Sequence, residues 1–591
     1  MILKNLVVYI ILNCLLLNCT AQYYLRGEIH DEKNEALQNV KIILHSDKLL
    51  YYSGTTGGFG ISAAYKYDSL TLSKDGYETK SVRISGDAFL EIMMKPTTTN
   101  ANRNRPKLIS VTKDQSLSSK YSWFVSDESY FSLIENETVE AKKFPNTGFS
   151  LNINKASYSN IRRFLAMNSV VPPDAVRIEE LLNYFNLNYK EPDKNECFKI
   201  ESKLSDCPWN AEKKLLYLNI NARKLDLEKV PPSNLVFLID ASGSMDLPNR
   251  LPLVKAAFQM LVKNLREIDT VSIVVYGGTV AVWMQPTGGN EKQKIIKSIE
   301  ELTASGDTPG ESAIKVAYKV AKSLYIKNGN NRVILATDGD FNVGETSEKA
   351  LEDLITRERE SGVYLTCLGV GMGNFKDSKL ETLAKRGNGN YAYLDDIKEA
   401  EKVLVKEVTQ TFYAVADDVF LNVKFNTDLV KEYRLIGFDN KKDAIADSIG
   451  SLEGGEIGSG NSVLAIFEVS TKLTLDSLQA LKSTLADVNL KYTPFNSKIE
   501  KSLNYKCSAV NESFSSINKE LQLGAAIAMF GMKLRQSKYL PEKTDWAFIE
   551  TTAINALNPA DYLQTEFVQL VGNAKKLYTK SKSKKKKKDD D

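Results

Sequence analysis

Residues 234–244 read NLVFLIDASGS. Leu235 to Ile239 form an unbroken apolar run closed by Asp240, the pattern of a strand buried on both faces of a parallel sheet. LVKAAFQMLVKNL follows with apolar residues at helical spacing. TVSIVVY, TVAVWMQ, NRVILATDG, VYLTCLGVG and YAYLDD then read as strands. Between and after them, KQKIIKSIEEL, SAIKVAYKVAKSLY, EKALEDLITRERES, KLETLAKR and IKEAEKVLVKEVTQTF read as helices, the last closing near Phe412. Such alternation predicts a doubly wound, mostly parallel α/β domain over residues 234–412.

In a doubly wound sheet, ligands bind beyond the carboxyl ends of the strands, where the strand order reverses. Asp240, Ser242 and Ser244 stand there at the end of the first strand, with Gly243 allowing a tight turn. Thr337-Asp338-Gly339-Asp340 ends a second buried strand and adds a carboxylate, and the loop ASGDTPGES adds Thr308. Carboxylates with neutral hydroxyls are the ligands of a hard divalent cation. Asp240, Ser242, Ser244, Thr308 and Asp338 are therefore the candidate metal ligands.

Composition narrows the chemistry. The chain has 591 residues, which suggests about four domains. With 43% hydrophobic and 26% charged residues it is an ordinary globular composition, neither collagenous nor wholly disordered. The net charge is +3, but Lys580–Asp591 alone carries seven Lys and three Asp, so the remainder is nearly neutral. That balance gives no footprint for nucleic acid. The two histidines, His30 and His45, both lie near the amino terminus, which excludes a Ser-His-Asp triad or a histidine-based zinc site at the α/β domain.

Residues 1–21 read as a signal peptide, with Lys4, an apolar run from Leu6 to Leu17 and a small-residue cleavage site ending at Ala21. Export to the periplasm or cell envelope follows, with Gln22 as the first mature residue, or with Cys19 as a lipid-attachment site in an outer-membrane lipoprotein. No later stretch is apolar enough to span a membrane. An exported chain can form disulfides. Cys197 and Cys207 flank a strand-like segment, so a local bridge between them is open, whereas Cys367 reads as a buried small hydrophobe.

Residues 22–96 alternate with period two in YLRGEIHD, KIILHS, GFGISA, SLTLSK and KSVRIS, predicting a small β-sandwich. Residues 97–126 are polar and predict a linker. Within 127–233, IRRFLAMN and VRIEELLNYF read as amphipathic helices separated by VVPPDA. Residues 413–579 return to β alternation in DVFLNVKFN, EYRLIGFD and SVLAIFEV, then end in the helices LGAAIAMFGMKLRQS and ADYLQTEFVQLVGNAKKL. Residues 580–591 have no apolar side chain and predict a disordered tail.

Several of these segments resemble known families. GEIHDEKNEALQNVKIIL, TTGGFGI and DSLTLSKDGYET are similar to the carboxypeptidase regulatory-like sandwich domain, which implies a module without catalysis. Asp240, Ser242, Ser244, Thr308 and Asp338 match the metal-ion-dependent adhesion site (MIDAS) of a von Willebrand factor type A (VWA) domain. Residues 149–189, with YRLIGFDN, GGEIGSGNSVLAIFEV, AAIAMFGMKLRQS and LQTEFVQLV downstream, resemble bacterial YfbK-like proteins that carry such a domain. The resemblance implies a non-enzymatic protein that holds Mg²⁺, Mn²⁺ or Ca²⁺ and engages an Asp or Glu of a protein partner. The competing readings are a structural scaffold with a loop-tying cation and a metal-dependent hydrolase. Two positions depart from the family pattern: Asp307, where a Ser usually precedes the Thr, and Asn461, where His is frequent.

Overall fold

The computed structural model describes residues 23–589, apart from 33, 47–49, 55, 64, 75, 86–88, 97–127, 129, 195, 227, 278, 307–309, 340–347, 373–374, 439–454, 473–482, 496 and 498. The signal segment and the linker lie outside the described residues. The chain divides into two units, Met1–Ser132 and Leu133–Asp591.

The first unit has two antiparallel-rich sheets. One orders Gly58–Ala63, Tyr23–Asp31 and Phe89–Met94; the other orders Leu50–Tyr52, Lys41–Leu44, Tyr67–Ser73 and Lys80–Ser85. Leu25, Ile29, Ile42, Leu44, Phe59, Leu70, Leu72 and Ile92 fill the space between them. Two of these strands escape the period-two reading. Leu50–Tyr52 is too short to alternate, and Phe89–Met94 turns Met93, 42% exposed, outward beside Glu91, so its outer face mixes apolar and charged residues.

In the second unit the α/β domain has the predicted sheet. Its six strands run in the order Thr279–Gly288, Thr270–Gly277, Ser233–Asp240, Asn330–Thr337, Tyr364–Val370, Tyr391–Leu394. All pairings are parallel except that of the edge strand Thr279–Gly288. Ser233–Asp240 is buried along its whole length because helices cover both faces. Leu251–Lys263 and Lys292–Glu300 pack on one face, and Gly310–Ser323, Glu348–Glu360 and Asp377–Arg386 on the other. The strand order reverses between Ser233–Asp240 and Asn330–Thr337, so the crevice beyond their carboxyl ends is the topological switch point.

The segments on either side of this domain are not separate bodies. Lys214–Ala222, before it, pairs antiparallel with Ser462–Thr471, after it. Their sheet orders Asn511–Glu512, Phe198–Asp206, Lys214–Ala222, Ser462–Thr471, Val430–Ile436 and Val139–Glu140. It packs on a second sheet of Gly455–Gly458, Ala414–Phe425, Thr484–Pro494 and Lys501–Ser508, with Asn146–Thr147 added alongside Ala414–Phe425. Leu216, Leu218, Val423, Phe425, Phe467, Val488 and Leu490 form their common core. The boundaries expected at 233 and 413 therefore mark an insertion: the described residues of 133–233 and 413–579 jointly build one sandwich, and the α/β domain enters and leaves it at one edge. Ser233 Oγ and Tyr413 Oη sit 2.8 Å apart at that junction.

Ala156–Ala166 has the predicted helix but no solvent face. Every residue from Ala156 to Leu165 is buried, arginines included. Arg162 donates to both oxygens of Asp395 at 2.7 and 2.5 Å, to Glu399 at 2.7 Å and to Glu566 at 2.8 Å. Arg177 likewise donates to Glu180 at 2.6 Å and to Asp377 at 2.6 Å. The polar stripe of the sequence thus faces carboxylates of the α/β domain and of the last helix. Ser159 Oγ donates to Tyr393 O at 2.7 Å and Tyr391 N–H to Asn154 Oδ1 at 2.9 Å, covering the edge strand Tyr391–Leu394.

Other expectations are revised by the same geometry. Cys197 and Cys207 are free thiols at opposite ends of the nine-residue strand Phe198–Asp206. At about 3.3 Å per residue that separation is far beyond disulfide reach. Cys367 is buried in Tyr364–Val370, as expected. The last helix runs from Tyr562 to Asp589, through lysines expected to be disordered. Lysine is a good helix former, and extending an existing helix avoids the cost of nucleation. Asn461, the second departure, sits in the turn between Gly455–Gly458 and Ser462–Thr471, its carbonyl accepting from Ala222 N–H at 2.8 Å.

Removing the Arg162 guanidinium leaves buried Asp395 and Glu399 without their counter-charge. Arg162→Ala should lose about 3–5 kcal/mol of unfolding free energy, measured by denaturant titration at neutral pH. A loss below about 1 kcal/mol would mean that these carboxylates are neutral or solvated.

Candidate functional site

Asp240 ends its strand completely buried. A buried carboxylate needs donors, and four surround it. Its Oδ1 accepts from Ser242 N–H at 2.9 Å and Ser242 Oγ at 2.6 Å. Its Oδ2 accepts from Thr337 Oγ1 at 2.8 Å and the Tyr276 hydroxyl at 3.2 Å. Burial pushes the Asp240 carboxyl up to about 6, against the pull of the Ser242 donors; the negative charge of Asp338 adds to the rise and the Thr337 hydroxyl opposes it.

Ser242 opens a short turn, Gly243–Met245, that brings Ser244 Oγ to 3.1 Å from Ser242 Oγ. The turn is fixed to its neighbours through the backbone. Ala241 N–H donates to Tyr276 O at 2.7 Å, Ser305 N–H to Ala241 O at 2.7 Å, and Gly243 N–H to Gly306 O at 3.0 Å. Gly277 is required for this approach, since a Cβ there would lie 2.4 Å from Ala241 O and 2.7 Å from Ser305 O.

The structure therefore brings Asp240, Ser242, Ser244 and Asp338 together at the switch point. Thr308 and Asp307 lie outside the described residues. The chain just before them, Ser305–Gly306, is hydrogen bonded to Ala241 and Gly243.

Three participants were not predicted from the sequence. Thr337 stands beside Asp338 in the quoted motif, but only its contact with Asp240 shows its use. Tyr276 ends the neighbouring strand, where its place in the alternation reads as core. Arg250 is the third. From the residue before helix Leu251–Lys263, its Nη1 donates to Asp338 Oδ2 at 2.6 Å and to Ser244 O at 2.6 Å, and its Nη2 donates to Met372 O at 2.9 Å. No spacing rule links position 250 to 338; the clue is a charged residue in a segment that must be buried beneath the loops.

Comparison with known proteins follows the same division of the chain. A family model for the von Willebrand factor type A domain matches residues 234–410. A YfbK C-terminal model matches 410–577, and a von Willebrand factor model matches 124–217. The chain is 36% identical over 467 residues to the uncharacterized protein YfbK of Escherichia coli (strain K12), covering 74% of this chain and 79% of that protein. The chain belongs to the YfbK family of VWA-domain proteins. Beyond that family, it is 27% identical over 168 residues to human inter-alpha-trypsin inhibitor heavy chain H3, covering 27% of this chain and 19% of the relative. Among solved structures, a von Willebrand factor type A protein from Catenulispora acidiphila covers 67% of this chain and 89% of its own at 15% identity and a TM-score of 0.38.

Within this YfbK-family site the two carboxylates carry opposite energetic signs. Asp240 has a folded-state pKa above its ordinary value, so the folded chain binds a proton that the unfolded chain has released. Its contribution to stability is present below about pH 4 and is lost as pH rises to about 6. In EDTA, the wild type should lose about 2 kcal/mol relative to Asp240→Asn between pH 4.5 and 6.5, measured by denaturant titrations at those two values. Asp338 behaves differently, because its loss strands the buried Arg250. Asp338→Ala should cost about 3–5 kcal/mol under the same conditions. Equal stability of Asp338→Ala and wild type would show that Arg250 is solvated.

Proposed function

We propose that this YfbK-family protein is a non-enzymatic, metal-dependent protein-binding protein whose cation is held by Asp240, Ser242, Ser244, Thr308 and Asp338. VWA domains mediate protein interactions. The observation that carries the finer reading is the convergence of two strand-end carboxylates and two serine hydroxyls at the switch point. These are hard oxygen donors, and the set fits Mg²⁺, Mn²⁺ or Ca²⁺. Neutral hydroxyl ligands leave a bound divalent cation electrophilic, able to accept an Asp or Glu of a partner.

The donor set argues against the hydrolase alternative. A general base would have to be one of these carboxylates, since the α/β domain contains no histidine, and both are assigned here to the cation. The scaffold alternative shares the cation but not the partner, and cation-dependent capture of an acidic peptide separates the two.

Export belongs to the same proposal and rests on residues 1–21. No helix among the described residues is long and apolar enough to cross a membrane. Amino-terminal sequencing of the protein from a bacterial host should find Gln22 first; a lipid on Cys19 would replace plain cleavage with anchoring, and a retained Met1 would overturn export.

The cation is tested by thermal melts. Wild type should gain about 2.7 kcal/mol at a hundredfold excess of Mg²⁺ over its dissociation constant, if the ion binds only the folded state. Asp240→Ala should gain nothing. No shift in wild type at millimolar Mg²⁺ or Mn²⁺ would refute the site, and a full shift in Asp240→Ala would place the cation elsewhere.

A further inference from the structure

We infer that Arg250 is a built-in counter-charge of the cation site, a positioning residue that weakens cation binding and leaves the bound ion with excess positive charge for an anionic partner. The inference rests on the metal-dependent reading above and adds to it a residue outside the five ligands.

Arg250 is held in place on several sides. It is 8% exposed, and its guanidinium bridges Asp338, the carbonyl of Ser244 and the carbonyl of Met372. It thereby ties together two loops at the switch point and the loop after Tyr364–Val370. Gly371 makes room for it: its φ is +81°, and a Cβ there would lie 2.6 Å from Arg250 Nε. A guanidinium is permanently protonated, so this positive charge does not leave with pH.

The charge balance follows. Asp240 and Asp338 offer two negative charges, and Arg250 cancels one of them at hydrogen-bond distance. A divalent cation at Ser242 and Ser244 would therefore meet a net single negative charge and keep a net positive one. Without Arg250 the carboxylates would fully neutralise the ion, raising its affinity and removing its attraction for a partner carboxylate. A merely structural clamp predicts the opposite: loosening Ser244 and Asp338 would weaken cation binding.

The sign of the change decides between the two. Mn²⁺ and Mg²⁺ titrations of the full chain by calorimetry should show Arg250→Gln binding at least tenfold tighter than wild type. Arg250→Lys, which keeps the charge, should stay within about threefold. Arg250→Met gives the same readout if Arg250→Gln does not fold, with an EDTA melt confirming the folded state of each variant. Equal or weaker binding by the neutral variants, with wild type binding, would overturn the inference and leave the metal site standing. Tight binding by the neutral variants alone would also overturn it, because the wild type would then hold no ion to present to a partner. No binding by any of the variants or the wild type would overturn the metal site and the inference together.

Discussion

Antiparallel hydrogen bonding between Lys214–Ala222 and Ser462–Thr471 closes one sandwich across the whole α/β domain. Asn219 Nδ2 meets Ser462 Oγ at 3.1 Å although the two residues are 243 positions apart. Closing so long a connection costs chain entropy that grows only slowly with length, and a core running from Leu216 to Phe467 and Val488 offsets it. Because both ends of the α/β domain emerge from that sandwich, the amino-terminal edge of the parallel sheet is anchored near Ser233 and Tyr413. The site lies at the opposite edge, beyond the carboxyl ends of the same strands, where loops can face a partner.

Legibility in the sequence follows from how local each feature is. The α/β domain was readable because NLVFLID and NRVILAT are apolar on both faces, and the intervening helices repeat at their own period. Asp240, Ser242 and Ser244 were readable because one turn places all three. The composite sandwich was not, since alternation identifies a strand but never its partner. Thr484–Pro494 was missed altogether: its Asp487, Asn489 and Lys491 share one exposed or half-exposed face, but Pro494 and a polar composition blur the signal. Helix Ala156–Ala166 carried a different trap. Its arginines imitate a solvated face, and only the positions of Asp395, Glu399 and Glu566 reveal that this face is buried.

The two arginine systems also show why charge could be buried here. An unpaired guanidinium in a protein interior is strongly unfavourable, whereas one meeting several carboxylates at fixed geometry is tolerated and specifies a unique arrangement. Arg162 satisfies Asp395, Glu399 and Glu566 at once, so the helix before the domain, the domain and the last helix must all be in place together. Arg177 adds Asp377, whose Oδ1 also accepts from Tyr391 Oη at 2.7 Å, linking the same helical layer to the edge strand.

Arg250 applies that logic at the site itself, with a different outcome. Arg162 meets three carboxylates, whereas Arg250 meets one and donates otherwise to the carbonyls of Ser244 and Met372. It compensates Asp338 and leaves Asp240 to be compensated by hydroxyls and a backbone N–H, none of which carries charge. The buried negative charge that remains is the one with an elevated pKa, and it stands beside two serine hydroxyls on a turn whose glycine is exposed. One carboxylate is thus committed to architecture while the other stays electrostatically unmet. That asymmetry suits the cation site proposed above: enough fixed charge to hold its loops without the ion, and enough unmet charge to attract one.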